Sequence, residues 1–172
     1  MRFETFSALK DICLRWPIEH GKIIQLLLAI SLDTRRGGYS VENRSSQGVD
    51  LEMIQGAKKF AIEVKTTEGT HVSLQDKDIS GLKSKAAADG YIPAVAVLRL
   101  QKSEDWVIAN AAKLQPGEYT PTRLSLDSIV ELESLARVHF ELAVTELRDN
   151  ILSPPGGLPL NFLSSVLLKE SR

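Results

Sequence analysis

Cysteine occurs once in this chain, at Cys13, so no internal disulfide is available and a reducing, intracellular setting is expected. The three histidines, His20, His71 and His139, lie far apart and form no metal-ligand spacing, which excludes a zinc-finger reading. No Gly-rich Walker loop or dinucleotide fingerprint is present, so no nucleotide cofactor is expected. Long apolar runs are missing too. The greasiest stretch, Ile23 to Ile30, contains Gln25 and is far too short to span a bilayer, so no membrane partner is expected. The opening Met-Arg-Phe-Glu-Thr-Phe lacks the apolar region of a secretory leader. A large excess of charge is also absent. The net charge is −1, which is not the signature of a strongly basic nucleic-acid binder. Residues 1–100 are slightly basic and residues 101–172 acidic, so any nucleic-acid contact needs a local patch or a dimer groove.

What remains is ordinary globular material: 172 residues, 43% hydrophobic and 25% charged, enough for one domain over 1–172 with a sizeable core. Phe3, Phe6, Cys13 and Trp16 recur at helical spacing, which predicts a first helix over 3–15, interrupted by Pro17. Residues 18–33 are apolar nearly all round, as in a well-covered central helix that Gly37-Gly38 closes off. A short strand is expected within 39–46. Residues 49–55 and 60–67 alternate as strands around a turn at 56–59. A Lys- and Ala-rich helix over 76–89 ends at Gly90, and β-branched residues 92–100 form the next strand. A further strand is expected at 106–112. A long helix over 126–149, with Ser125 as N-cap, and a short one over 161–170 follow. This order predicts an α/β fold: a small mixed sheet flanked by helices, with a helical C-terminal extension.

The chemistry concentrates in the predicted hairpin, Gly-Val-Asp50-Leu-Glu52 … Ala-Ile-Glu63-Val-Lys65. Side chains alternate along a strand, so Glu63 and Lys65 share a face. With a four-residue turn at 56–59, Gln55 pairs with Phe60 and Asp50 falls opposite Lys65. Asp50, Glu52, Ile54, Ala61, Glu63 and Lys65 then share one face, and Leu51, Met53, Phe60, Ile62 and Val64 share an apolar one. Two neighbouring carboxylates repel when both are ionised, and a hard divalent cation relieves that repulsion. Such an ion polarises a phosphodiester and activates a bound water. Lys65 beside it would orient the nucleophile and stabilise developing negative charge. The Val64 carbonyl, between Glu63 and Lys65, is a further candidate ligand. A lone Glu-x-Lys on a strand usually marks only a solvated face of mixed charge. Here Asp50 and the apolar opposite face favour the chemical reading.

These residues resemble the PD-(D/E)xK nuclease superfamily, and within it the archaeal Holliday-junction resolvases. The resemblance runs over about residues 17–100. It rests on Glu19 on a helix, Arg44-Ser45-Ser46, Val49-Asp50-Leu51, Ala61-Ile62-Glu63-Val64-Lys65, Val72-Ser73-Leu74, and Ile92-Pro93-Ala94-Val95-Ala96-Val97 after the helix near 76–89. It implies a restriction-endonuclease-like core at 17–100 with an extension at 101–172. The implied activity is Mg²⁺-dependent endonucleolytic cleavage of branched or duplex DNA, with Mn²⁺ able to substitute, in prokaryotic-type recombination or repair. Asp50, Glu63 and Lys65 are the implied catalytic set. Glu19, Asp50, Glu63 and Val64 are the implied metal ligands, although Glu19 also suits a helix first turn. Ser45 and Ser46 are implied to meet phosphate near the cut, and Arg35, Arg36, Arg44, Lys58 and Lys59 to neutralise the backbone. A homodimer is implied by two-strand cutting, with 126–149 as its candidate interface. Glu52 stands where the resolvases usually carry an aliphatic residue, as either a further ligand or an exposed side chain. Asp78 stands nearest to the place where they often carry Gln. The alternatives are a sequence-specific type II-like restriction endonuclease and a non-catalytic DNA-binding or assembly subunit of the same fold.

Overall fold

A computed structural model describes residues 1–44 and 48–170. Helices α1 (Phe3–Arg15) and α2 (His20–Leu32) open the chain. Strands β1 (Ser40–Asn43), β2 (Leu51–Gln55), β3 (Lys58–Thr67) and β4 (Val72–Leu74) follow, then α3 (Asp76–Asp89), β5 (Ile92–Arg99), β6 (Val107–Asn110) and β7 (Gly117–Tyr119). The remainder is helical: a short α4 (Pro121–Leu124), one 3₁₀ turn at Ser125–Asp127, α5 (Val130–Leu152) and α6 (Pro159–Glu170). The main sheet has the order β1-β2-β3-β5-β6, and β4 pairs with β7 in a separate ribbon. Only β3 and β5 run parallel in the main sheet, with β4 and α3 forming the crossover between them. Among the described residues, no helix is long and apolar enough to cross a membrane.

Both faces of this sheet are covered, which explains why β5 reads as a nearly unbroken apolar run. Leu51, Met53, Phe60, Ile62, Ala94, Ala96 and Leu98 pack on the side of α1, α2, α5 and α6. Ala61, Val95, Val97 and Ala109 pack on the other side, with Ile79 and Leu82 of α3 and Val72 and Leu74 of β4. Helix α2, apolar nearly all round, is buried from Ile23 to Leu32 because β1, β3, α5 and α6 surround it. The C-terminal helices supply Leu132, Phe140, Val144, Ile151 and Leu163 to the same core as α2 and β3. Phe140 meets Trp106 edge to face, with ring centroids 5.3 Å apart.

Helix α5 starts at Val130 rather than near 126, and Ser125 begins the 3₁₀ turn instead of capping it. Two competing signals explain this. Pro121 starts α4, whose Thr120 hydroxyl accepts the Arg123 N–H at 3.1 Å. The chain then pairs with the edge of β6: Ile129 N–H donates to the Ile108 carbonyl at 2.7 Å, and the Glu133 carboxylate accepts the Ile108 N–H at 2.9 Å. A residue held extended against a strand edge cannot be the first turn of a helix.

The hairpin turn also differs. It is the two residues Gly56-Ala57, because Gln55 pairs with Lys58 and not Phe60. Gly56 has φ +59, the left-handed conformation that a tight hairpin asks of glycine at its first central position. The register therefore moves by two residues. A two-residue slip keeps every side chain on its expected face, so Leu51, Met53, Phe60 and Ile62 still point to the core.

Candidate functional site

Strand β2 begins at Leu51, paired with Ile62, while β3 runs on to Thr67 beside β5. Beyond Ile62, β3 has lost its neighbour on the β2 side. A backbone N–H left there needs an acceptor, and Asp50 supplies one: its Oδ2 accepts the Val64 N–H at 2.8 Å, while its own N–H donates to the Ile62 carbonyl at 3.1 Å. Asp50 thus sits level with Glu63, between Ile62 and Val64, and not opposite Lys65. The opening of the sheet, rather than a hairpin face, brings the two carboxylates together.

That face is not exposed to solvent. Glu63 is only 8% exposed and Glu52 6%, because α3 and the second core cluster lie over them. Burial raises the Glu63 carboxyl to about 7, with the Asp50 charge adding to it and Lys65 opposing it. Burial likewise raises the Asp50 carboxyl, against the lowering effects of the Val64 N–H and Lys65. The Lys65 ammonium lies 2.8 Å from Glu63 Oε1 and 2.8 Å from Asp78 Oδ2. Burial pulls Lys65 down, but the bonds to Asp78 and Glu63 outweigh it and hold the ammonium above its ordinary range. Asp78 is opposed by burial, yet Lys65 and the Gln75 N–H keep it below its usual value. The arrangement is therefore two crowded carboxylates of raised basicity, one fixed cation and one firmly ionised carboxylate behind it.

Other residues singled out in the sequence occupy different places. Glu19 is the residue before α2. The start of that helix lies over the end of β3, where a Cβ at Gly21 would come 3.7 Å from Thr66 Oγ1, and Lys22 is near enough to lower Asp50. Among the described residues, no group of three or more His, Cys, Asp or Glu is placed to hold a metal ion, so Glu19 does not form such a group with Asp50 and Glu63. Glu52 is not exposed. It receives the Tyr91 hydroxyl at 3.1 Å and forms an ion pair with Lys85 at 2.7 Å, with Arg44 Nε 3.8 Å away. Arg44 also pairs with Glu42. Arg36 pairs with Glu146 at 2.7 Å and Lys58 with Glu131 at 2.7 Å, both on α5. Lys59 stands 5.7 Å from the centre of the Tyr91 ring, and Arg35 is exposed. Ser45 and Ser46 lie outside the described residues. The partner that sequence reasoning did not assign is Asp78. Its available signal was position: Gln75-x-x-Asp78 is a capping box at the start of the helix that returns over β3.

The fold and site together define a mixed α/β sheet with an acid–acid–lysine centre where two strands part. No family model matches the chain, and no curated protein matches it. Among solved structures, the chain is similar to Hjc of Archaeoglobus fulgidus, a Holliday junction resolvase from an archaeal hyperthermophile. The TM-score is 0.48 with 17% identity, covering 58% of this chain and 85% of that one.

Proposed function

We propose that this protein is a Mg²⁺-dependent DNA endonuclease of the restriction-endonuclease-like type, with Asp50, Glu63 and Lys65 at its centre. The observation that carries the reading is the meeting of Asp50 and Glu63 at the open edge of β3, with the Lys65 ammonium 2.8 Å from Glu63. The donor set suits a hard cation. Mg²⁺ is commonly held by one or two carboxylates with water completing its shell, and here burial raises both carboxyls and the Asp50 charge adds to the cost of ionising Glu63. Asp50, Glu63 and the Val64 carbonyl would hold the ion. When bound, it would polarise the phosphodiester and acidify a water. Asp50 is oriented for this task by the Val64 N–H, and Glu63 by Lys65. Lys65 presents a positive donor at the same edge, suited to orienting a nucleophilic water and to meeting charge that develops on the phosphate. Apolar packing beneath the site, through Ala61 and Val95, keeps these charges in a medium where they act strongly.

The substrate proposed is DNA, branched or duplex, cut by a homodimer. A second reading is a non-catalytic DNA-binding or assembly subunit. The observation favouring it is that Lys65 bridges Glu63 and Asp78, so Glu63 already has a cationic partner without a metal ion. A nicking assay with Mg²⁺ on supercoiled plasmid and on a four-way junction separates the readings. Asp50→Ala and Lys65→Ala should each lower cutting by at least about 100-fold while leaving the thermal melt cooperative. Unchanged cutting by either variant would remove this centre from the account. DNA binding without cleavage by the wild type would favour the subunit reading, and cutting of linear duplex at one fixed sequence would favour a restriction enzyme.

A further inference from the structure

Three residues on one face of α3 reach across to the strands that carry the candidate centre. Asp78 holds Lys65, Gly81 abuts the backbone at Gly48, and Lys85 pairs with Glu52. They follow an i, i+3, i+7 spacing, which keeps them on one side of the helix. The contact with Lys65 goes furthest. Asp78 is only 4% exposed, and its Oδ2 accepts both the Lys65 ammonium at 2.8 Å and the Gln75 N–H at 2.9 Å. It stands in the first turn of α3, where the helix dipole favours a negative charge. The helix terminus thus gives Asp78 a backbone partner of its own in addition to Lys65.

We propose that Asp78 is the positioning residue of the centre, an anchor that keeps the Lys65 ammonium in place when Glu63 turns its carboxylate to another cation. Lys65 contacts both acids at the same distance, 2.8 Å, but Asp78 is also pinned by the Gln75 N–H, so it is the partner that holds the lysine in place on its own. A divalent ion taken up by Asp50 and Glu63 competes with Lys65 for Glu63. Without a second acid, the lysine would either block the ion or swing away on its flexible stem. With Asp78 behind it, Lys65 can release Glu63 and stay at the edge of β3. This inference rests on the nuclease reading for its purpose, but the anchoring itself is measurable in metal-free protein.

The test is ¹⁵N–¹H NMR of lysine ammonium groups in the metal-free full chain, with Lys65 assigned by Lys65→Arg. An ammonium held by two carboxylates exchanges its protons slowly and gives a resolved signal. The wild type should show it, and Glu63→Gln should retain it, because Asp78 remains. Asp78→Asn, which preserves an acceptor for the Gln75 N–H, should lose it. Asp78→Glu, which keeps the charge in case the amide variant folds poorly, should restore it. In the nuclease assay Asp78→Asn should lower kcat by about 10- to 100-fold with KM for DNA little changed, as expected for a partner that orients a functional group. Persistence of the Lys65 signal in Asp78→Asn, or its loss in Glu63→Gln, would overturn the proposal, whatever the activity. Loss of the signal in Asp78→Asn from a wild type that cuts no DNA would leave the anchoring intact and count against the nuclease reading alone.

Discussion

Replacing Glu63 by glutamine should make the protein more stable near pH 8, although it removes half of an ion pair. Glu63 is buried at the open edge of β3 with its carboxyl raised from 4.5 to about 7. A raised acid resists ionisation in the folded state, so its contribution to stability is fully present below about pH 4.5. That contribution is lost as pH rises through about 7. A shift of this size corresponds to about 3 kcal/mol between those limits, at about 1.4 kcal/mol per unit. Asp50, raised by the same burial, adds a smaller loss of the same sign. Asp78, lowered, acts in the opposite sense. Its contribution is present above 3.8 and lost below, outside the window that Glu63 governs. Lys65, raised above 10.5, contributes below that value and loses its effect only in strong alkali. Glutamine keeps the shape of Glu63 and leaves Lys65 its bond to Asp78. The assay is urea unfolding from pH 4.5 to 8.5, read as the midpoint with its slope checked for constancy. The wild type should lose stability between about pH 5 and 7, and Glu63→Gln should lose much less. An equal loss of stability between about pH 5 and 7 in the two proteins would refute the claim that burial of Glu63 carries this cost.

Two further perturbations test how α3 is docked. Gly81→Ala places a methyl 1.9 Å from the Gly48 carbonyl oxygen, a backbone atom that cannot turn aside. It should destabilise the fold by about 1–3 kcal/mol, visible as a lowered melting temperature. Glu52→Ala leaves the Tyr91 hydroxyl without its buried acceptor and Lys85 without its buried counter-charge. It should cost about 1–3 kcal/mol in denaturant unfolding, and Glu52→Gln, which still accepts from Tyr91, should cost less.

The local elements were written clearly in the chain. Phe3–Arg15 and Asp76–Asp89 occur where the helical periodicity and the Gly90 stop place them, and Gly90 indeed takes the left-handed conformation, at φ +70. Strand β5 follows from its β-branched run. The start of α5 was not legible, because the bonds from Ile129 and Glu133 to Ile108 join segments distant in sequence. The short strands β4 and β7 of the separate ribbon carry too few residues to show a period. At the site, alternation along β3 fixed that Glu63 and Lys65 share a face, while the turn length, and hence the level of Asp50, depended on one glycine at Gly56.

Taken alone, the sequence determined which residues are chemically able: two acids and a lysine on neighbouring strands, set against an apolar face. It could do so because strand periodicity is a local property of the backbone. Tertiary structure alone decided their surroundings. The parting of β2 from β3 gives Asp50 the Val64 N–H, and α3 covers Glu63 and supplies Asp78 to Lys65. Burial and long-range charge are properties of what packs above a strand, and no pattern within the strand itself encodes them.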